Sequence, residues 1–135
     1  MTFKFGSVKD AESADVVIKD PTTGKRIASV SIAGPEHPKR KAIEFQKQRR
    51  MLAALSRTGK FDIVDPETAE DEKTDLLVAC TLAWDGFLDS DDNEIPCTAD
   101  NVRRMYTAQG HGWLRRQLLD AMEDRDRFVT GSAAV

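Results

Sequence analysis

The stretch DPETAEDEKTDLLVACTLAWDGF, residues 65–87, decides how the chain folds. Asp65 is a favourable N-cap and Pro66 suits the first helical position, and acidic residues follow where the positive end of the helix dipole favours them. Apolar residues with helical spacing then line one side: Leu76, Leu77, Cys80, Trp84 and Phe87. Because Val78 and Leu82 make the other side apolar too, the pattern predicts a central, buried helix that ends near Asp85-Gly86.

A second long helix is predicted upstream, over residues 38–58, where no Gly or Pro interrupts the chain before Gly59 ends it. Phe45, Gln48, Leu52 and Leu55 follow helical spacing, with Met51 beside them. At about 100° per residue, five bases share a different arc, broken only by Ile43 and Ala54. They are Lys39, Arg40, Lys47, Arg50 and Arg57, and we call them the basic stripe.

A β-hairpin is predicted over residues 15–33. Residues 15–19 are rich in β-branched side chains, and residues 27–32 alternate, with Ala28, Val30 and Ile32 on one face. Between them, Asp20-Pro21-Thr22-Thr23-Gly24 has the proline and glycine that fix a turn.

The predicted fold class is α+β, mainly α: an N-terminal β-hairpin followed by about four helices packed as a small helical domain. Thr98 caps a short third helix, and a last helix follows from about Trp113. We expect one domain over residues 15–128, with the hairpin at 15–33 and the helical part at 38–128. Residues 1–14 are expected to be a loose segment and 129–135 a flexible tail. The helices are expected to form one core from Leu77, Cys80, Trp84, Val102, Leu118 and Phe128.

Charge is strongly segregated along the 135 residues, although the net charge is only −3. Residues 37–60 hold eight bases and one acid, a net charge of +7, whereas residues 61–100 hold thirteen acids and one base, a net charge of −12. Such separation favours electrostatically steered contact with a partner or with another copy. Two cysteines without a disulfide framework, no apolar leader and no long apolar run predict a cytoplasmic chain without a membrane span.

The residues that carry chemistry do not form a recognisable catalytic or metal site. The acidic loop, residues 89–96, resembles a calcium loop at Asp89, Asp91 and Asn93. However, Glu94 stands where glycine is needed, and Pro96 does not fit the loop pattern. His37, His111, Cys80 and Cys97 lack metal-ligand spacing, and no nucleophile or phosphate-loop motif is present. We therefore expect no catalysis, no cofactor and no metal. The basic stripe is the candidate binding site, and the overall acidity of the chain disfavours nucleic acid as its partner.

Several short segments, taken in order, resemble a known family. They are Asp20-Pro21 with Gly24-Lys25, the basic helix, Trp84-Asp85-Gly86, Pro96-Cys97-Thr98-Ala99-Asp100-Asn101, residues 113–118 (WLRRQL) and residues 124–128 (DRDRF). Their order and spacing over residues 15–128 resemble the tail assembly chaperones (minor tail proteins) of long-tailed bacteriophages and prophages.

This resemblance implies a non-enzymatic assembly factor in the host cytoplasm. Members bind the tape measure protein and keep it soluble during tail tube assembly, and the tail tube protein is an additional candidate partner. Many members self-associate, so a homo-oligomer is left open. Two alternatives remain: a structural virion component of the head–tail joining or tail-terminator type, and a small nucleic-acid-binding regulator.

Overall fold

The structure is a computed structural model that describes residues 4–6, 8–60 and 65–131. Its elements, in chain order, are β1 (Val8–Asp10), β2 (Ser13–Lys19), β3 (Arg26–Ala33), α1 (Pro38–Thr58), α2 (Pro66–Cys80), β4 (Thr81–Asp85), α3 (Ala99–Thr107), α4 (Gly112–Glu123), a 3-10 turn (Arg125–Phe128) and β5 (Val129–Gly131). The fold is α+β and mainly α, with N-terminal strands preceding the helices, as predicted.

The predicted hairpin is present as β2 and β3, which pair antiparallel with Val16 opposite Val30. Its turn is closed by Asp20, whose side chain accepts a hydrogen bond from the Thr22 backbone N–H at 2.8 Å. The free edge of β2 is capped at Lys19, because the Gln117 side chain accepts from its N–H at 3.0 Å and donates to its carbonyl at 2.7 Å. An amide that imitates a neighbouring strand in this way protects one edge position from further pairing.

The long helix α1 has the predicted bounds, Pro38–Thr58. His37 caps its start, with Nδ1 accepting from the Lys39 N–H at 3.1 Å. Gly59 ends it in the left-handed conformation, φ 72°, which a residue with a side chain adopts only at a cost. Asp65 caps α2 as predicted, and the Thr68 N–H that it accepts at 2.8 Å lowers the pKa of its carboxyl group.

The prediction for the second half of the decisive stretch is wrong. The helix ends at Cys80, and Thr81–Asp85 continues as β4, which pairs with β3 to complete a three-stranded antiparallel sheet of order β2-β3-β4. Trp84 therefore lies opposite Val30 on a strand rather than on a helix face. Pairing with β3 outweighs the local helical pattern, since Thr81, Leu82 and Trp84 also suit a strand.

The core lies between the inner face of this sheet and the helices, so it is not built from helices alone. Five of the six predicted core residues are buried: Leu77, Cys80, Val102, Leu118 and Phe128. Trp84 is only partly buried and packs at the margin, where its indole Nε1 donates to the Ile95 carbonyl at 2.7 Å. The sheet supplies what the helical prediction omitted, above all Ile18, Val30 and Ile32, each with no exposed surface.

Two short strands occur where loose ends were expected. β1 pairs antiparallel with β5, with Lys9 opposite Thr130, and so joins the two ends of the domain. The other parts of the expected loose segment and tail, residues 1–3, 7 and 132–135, lie outside the described residues.

A buried chain of hydrogen bonds marks the junction of α2 and β4. The Thr81 hydroxyl donates to the Leu77 carbonyl at 2.9 Å and lies 2.8 Å from the Tyr106 hydroxyl. Because threonine has a single hydroxyl hydrogen, Tyr106 is the donor in the second bond. Burial raises the pKa of Tyr106, so this hydroxyl stays protonated and keeps donating.

Changing the two hydroxyls should have unequal effects. Tyr106→Phe leaves Thr81 bonded to Leu77 and should lower the free energy of unfolding by about 0.5–1.5 kcal/mol. Thr81→Val leaves the buried Tyr106 hydroxyl without its acceptor and should cost more, about 1–3 kcal/mol. Urea denaturation followed by tryptophan fluorescence measures both. Equal costs, or a smaller cost for Thr81→Val, would contradict this hydrogen-bond direction.

Candidate partner-binding surface

The basic stripe divides into two kinds of residue in the structure. Lys39, Lys47, Arg50 and Arg57 are exposed along α1, as a binding role requires. Arg40 is buried, with 6% of its surface exposed. The five bases are thus brought onto one helix, but only four of them face solvent.

Arg40 joins three segments of the chain. Its Nη2 donates to the Met122 carbonyl at 2.9 Å near the end of α4, and its Nη1 donates to the Ala33 carbonyl at 3.3 Å at the end of β3. Its Nε bonds to Glu44 Oε1 at 3.3 Å, and its guanidinium lies 5.9 Å from the centroid of the Phe128 ring. A cation near the last carbonyls of a helix also suits the negative end of the dipole. Arg40 is therefore a structural residue, and its prediction as a partner-binding residue is corrected.

Arg50 is partly engaged within the chain. Its Nη2 lies 3.7 Å from Glu72 Oε1 on α2, and the two side chains remain 63% and 28% exposed. A pair this exposed contributes only about 0–1 kcal/mol. The attraction between the basic helix α1 and the acidic helix α2 therefore adds little stability through this pair, and Arg50 stays accessible to a partner.

Large apolar side chains of α1 are exposed, which their spacing in the sequence did not predict. α1 contacts α2, and the buried residues of α1 are Arg40 and Ala54. Phe45 is 49% exposed, Leu52 is 63% exposed and Met51 is 39% exposed, although their spacing is typical of a core-facing side. Large apolar side chains repeated along one exposed helix are typical of an interaction surface.

A groove of about 420 Å³ lies beside the start of α1, between the end of α2, β4 and the start of α3. Val78, Leu82 and Val102 give it an apolar lining, and Lys39 stands at its rim. Asp75 and Arg103 form an ion pair there at 2.8 Å. Cys97 also lines the groove, and burial raises the pKa of its thiol, which disfavours the thiolate that a nucleophile needs.

The acidic loop uses its carboxylates to close its own turns. Asp89 Oδ1 accepts hydrogen bonds from the backbone N–H groups of Asp91, at 2.8 Å, and of Asn93, at 3.0 Å. Within residues 4–6, 8–60 and 65–131, no group of three or more His, Cys, Asp or Glu side chains is placed to hold a metal ion. The helices of the same ranges include none long and apolar enough to cross a membrane.

No match to this chain is found among protein-family models, curated proteins or solved structures. The candidate site is an exposed helix with basic and apolar side chains, anchored at one end by a buried arginine.

Removing the Arg40 guanidinium should destabilise the fold. Arg40→Met leaves the Ala33 and Met122 carbonyls and the part-buried Glu44 without their donor, so we expect a loss of about 2–4 kcal/mol in the free energy of unfolding. Arg57→Met is the matched control on the exposed part of the same helix and should change stability by less than about 0.5 kcal/mol. Equilibrium urea unfolding tests both variants. If the two variants were equally stable, Arg40 would not be a structural residue and its predicted role in partner binding would be retained.

Proposed function

We propose that this protein is a non-enzymatic tail assembly chaperone of a long-tailed phage or prophage, which binds the tape measure protein and keeps it soluble while the tail tube assembles. The resemblance over residues 15–128 suggests the family. The observation that carries the proposal is α1, a 21-residue helix with bases and large apolar side chains on its exposed surface. A chaperone for a long helical client needs a surface of this kind.

The charge distribution supports a protein partner that carries acids. α1 holds seven bases and a single acid, and Lys39, Lys47, Arg50 and Arg57 of the stripe are exposed. Each exposed pair with a partner carboxylate supplies only about 0.2–1 kcal/mol, so several are needed together with apolar contacts. Since such pairs are screened within about 8–10 Å at physiological salt, the association should weaken as salt rises.

Several side chains of reactive types are buried or hydrogen-bonded within the fold, and this supports a non-enzymatic role. Burial raises the pKa of Cys80 to about 11, so its thiol is protonated near neutral pH. The Tyr106 and Thr81 hydroxyls are bonded to each other in the core, and His37 caps α1. Each of these groups has a structural task that accounts for its position.

Two other functions are separable by experiment. A structural virion subunit would be found by mass spectrometry in purified particles, whereas a chaperone would be absent from them. A nucleic-acid-binding regulator would bind heparin or DNA at low salt, and the burial of Arg40 removes one of the five bases on which that alternative depends.

Co-expression with the tape measure protein tests the proposal directly. The tape measure protein alone should be mostly insoluble, and co-expression with this chain should move it into the soluble fraction and into a complex that co-purifies with the chain. Thr23→Ala, in the exposed hairpin turn, is a control that should behave as wild type. A tape measure protein that stays insoluble and does not co-purify would contradict the proposed function.

Charge reversal tests the role of the stripe. The double variant Arg50→Glu, Arg57→Glu should stay folded, because both side chains are exposed, and should weaken partner association about tenfold or more at low salt. Sedimentation at low and high salt compares it with wild type. Salt-independent behaviour, the same for both proteins, would show that the stripe takes no part in association.

A further inference from the structure

A regular seam runs along the solvent side of α1. Ala42, Phe45, Arg49, Leu52 and Ser56 follow one another at spacings of three, four, three and four residues. At about 100° per residue these five positions fall within an arc of about 80°. All five are exposed, and Phe45 and Leu52 stand out as the large apolar members. This spacing is that of the a and d positions through which one helix packs against another.

Nothing in the described part of the chain covers this seam. α1 packs on α2 from the other side, where Ala54 is buried, and it is anchored by Arg40 at its N-terminal end. Phe45 at 49% and Leu52 at 63% exposure lose much of the hydrophobic stabilisation that burial of a large apolar side chain provides. A second helix laid along the seam would recover it.

Arg49 fixes the chemistry of that helix. It occupies the middle of the seam, between Phe45 and Leu52, where a packed partner would surround its guanidinium. A buried charge at such a position is tolerated when an opposite charge faces it, so the partner must present a carboxylate there. Acids are absent from the seam and from its flanking positions 41, 46, 48, 53 and 55, one of which is Lys41.

We propose that the seam of α1 binds an acidic amphipathic helix of another protein, with apolar residues against Phe45 and Leu52 and a Glu or Asp opposite Arg49. The seam spans 15 residues, and its 14 rises of 1.5 Å make it about 21 Å long, so a partner helix of about four turns covers it. The small residues Ala42 and Ser56 at its two ends allow that helix to approach closely. Recognition follows the helix-in-groove mode, in which i, i+3, i+4 and i+7 side chains are the anchors.

A second copy of α1 is a poor occupant. Two such helices would bring together two basic segments, each with seven bases and one acid, and a parallel pair would place Arg49 against Arg49. Like charges facing one another in a packed seam are destabilising, so the arrangement selects against self-pairing through this face. Charge complementarity thus favours an acidic helix over a second copy of α1.

The test uses the full chain and two synthetic helical peptides of about 17 residues. The peptides share leucines at the a and d positions and differ only in carrying Glu or Lys at the central a position and on the flanks. Binding is measured by titration, and the site is located by amide NMR shifts. Wild type should prefer the Glu peptide by about tenfold, with shifts centred on Phe45, Arg49 and Leu52. Arg49→Glu should reverse that preference.

Two further variants make the test specific. Phe45→Ser combined with Leu52→Ser should abolish binding of the Glu peptide, whereas Val17→Ser, which removes a 44% exposed apolar residue from the outer sheet face, should bind as wild type. Because these side chains are exposed, both variants should keep the wild-type circular dichroism spectrum and melting temperature. Shifts on the sheet instead of α1, no preference between the peptides, or no binding of either would overturn the proposal.

The inference rests on the proposed function only for the source of the helix, which would then be the tape measure protein. Different results would contradict the seam proposal and the proposed function. If the Glu peptide binds the seam but the chain neither solubilises nor retains the tape measure protein, the seam stands and the proposed function is wrong. If the chain solubilises that protein and the Phe45→Ser, Leu52→Ser variant does so equally well, the function stands and the seam is wrong.

Discussion

The buried guanidinium of Arg40 is the interaction on which the arrangement of this fold depends. One side chain bonds to the end of β3 through Ala33, to the end of α4 through Met122, and lies near the Phe128 ring that closes the core. Arg40 and Met122 are 82 positions apart in sequence, so the bond between them is a tertiary constraint. Arg40 also belongs to the first turn of α1, which fixes where that long helix leaves the domain. Beyond this anchor α1 packs along α2 and keeps its opposite side in solvent.

Local chemistry explains what the sequence predicts well. Caps at Asp65 and Thr98, the stop at Gly59 and the turn at Asp20 act within a few residues. The structure places the starts of α2 and α3, the end of α1 and the hairpin turn where those signals stand. The predictions that fail depend on distant partners. Trp84 has a spacing that fits a helix face, but β3 offers a strand to pair with, and the Thr81 hydroxyl ends α2 by bonding back to Leu77.

The candidate binding surface also has features that the sequence predicts and features that depend on distant parts of the chain. The sequence places five bases on one arc of α1, but only the fold reveals that Arg40 turns inward, because its acceptors are carbonyls of β3 and α4. Phe45 and Leu52 have the periodicity of core residues, and periodicity alone does not say whether the chain itself provides the covering surface. A seam that places Arg49 between them is the signal that could have distinguished an interface from a core, since an uncompensated charge suits a core poorly.

Anchoring at one end and exposure along the rest make α1 suited to meeting another helix. In the proposed function, the stripe residues Lys39, Lys47, Arg50 and Arg57 would attract acidic chains from a distance, and the seam of Phe45, Arg49 and Leu52 would supply short-range packing. Such an association would form in a salt-sensitive way and would be held by apolar contacts.

Photo-crosslinking in infected or induced cells tests this account most directly. A photoreactive amino acid at Gln46, which is exposed on the flank of the seam, reports what lies against α1 during tail assembly. The same residue at Thr23, in the exposed hairpin turn, is the control. The account predicts a crosslink from position 46 to the tape measure protein, mapped by mass spectrometry to an acidic amphipathic helix, and none from position 23. Crosslinks from position 46 to no protein, or to the tape measure protein equally from both positions, would contradict it.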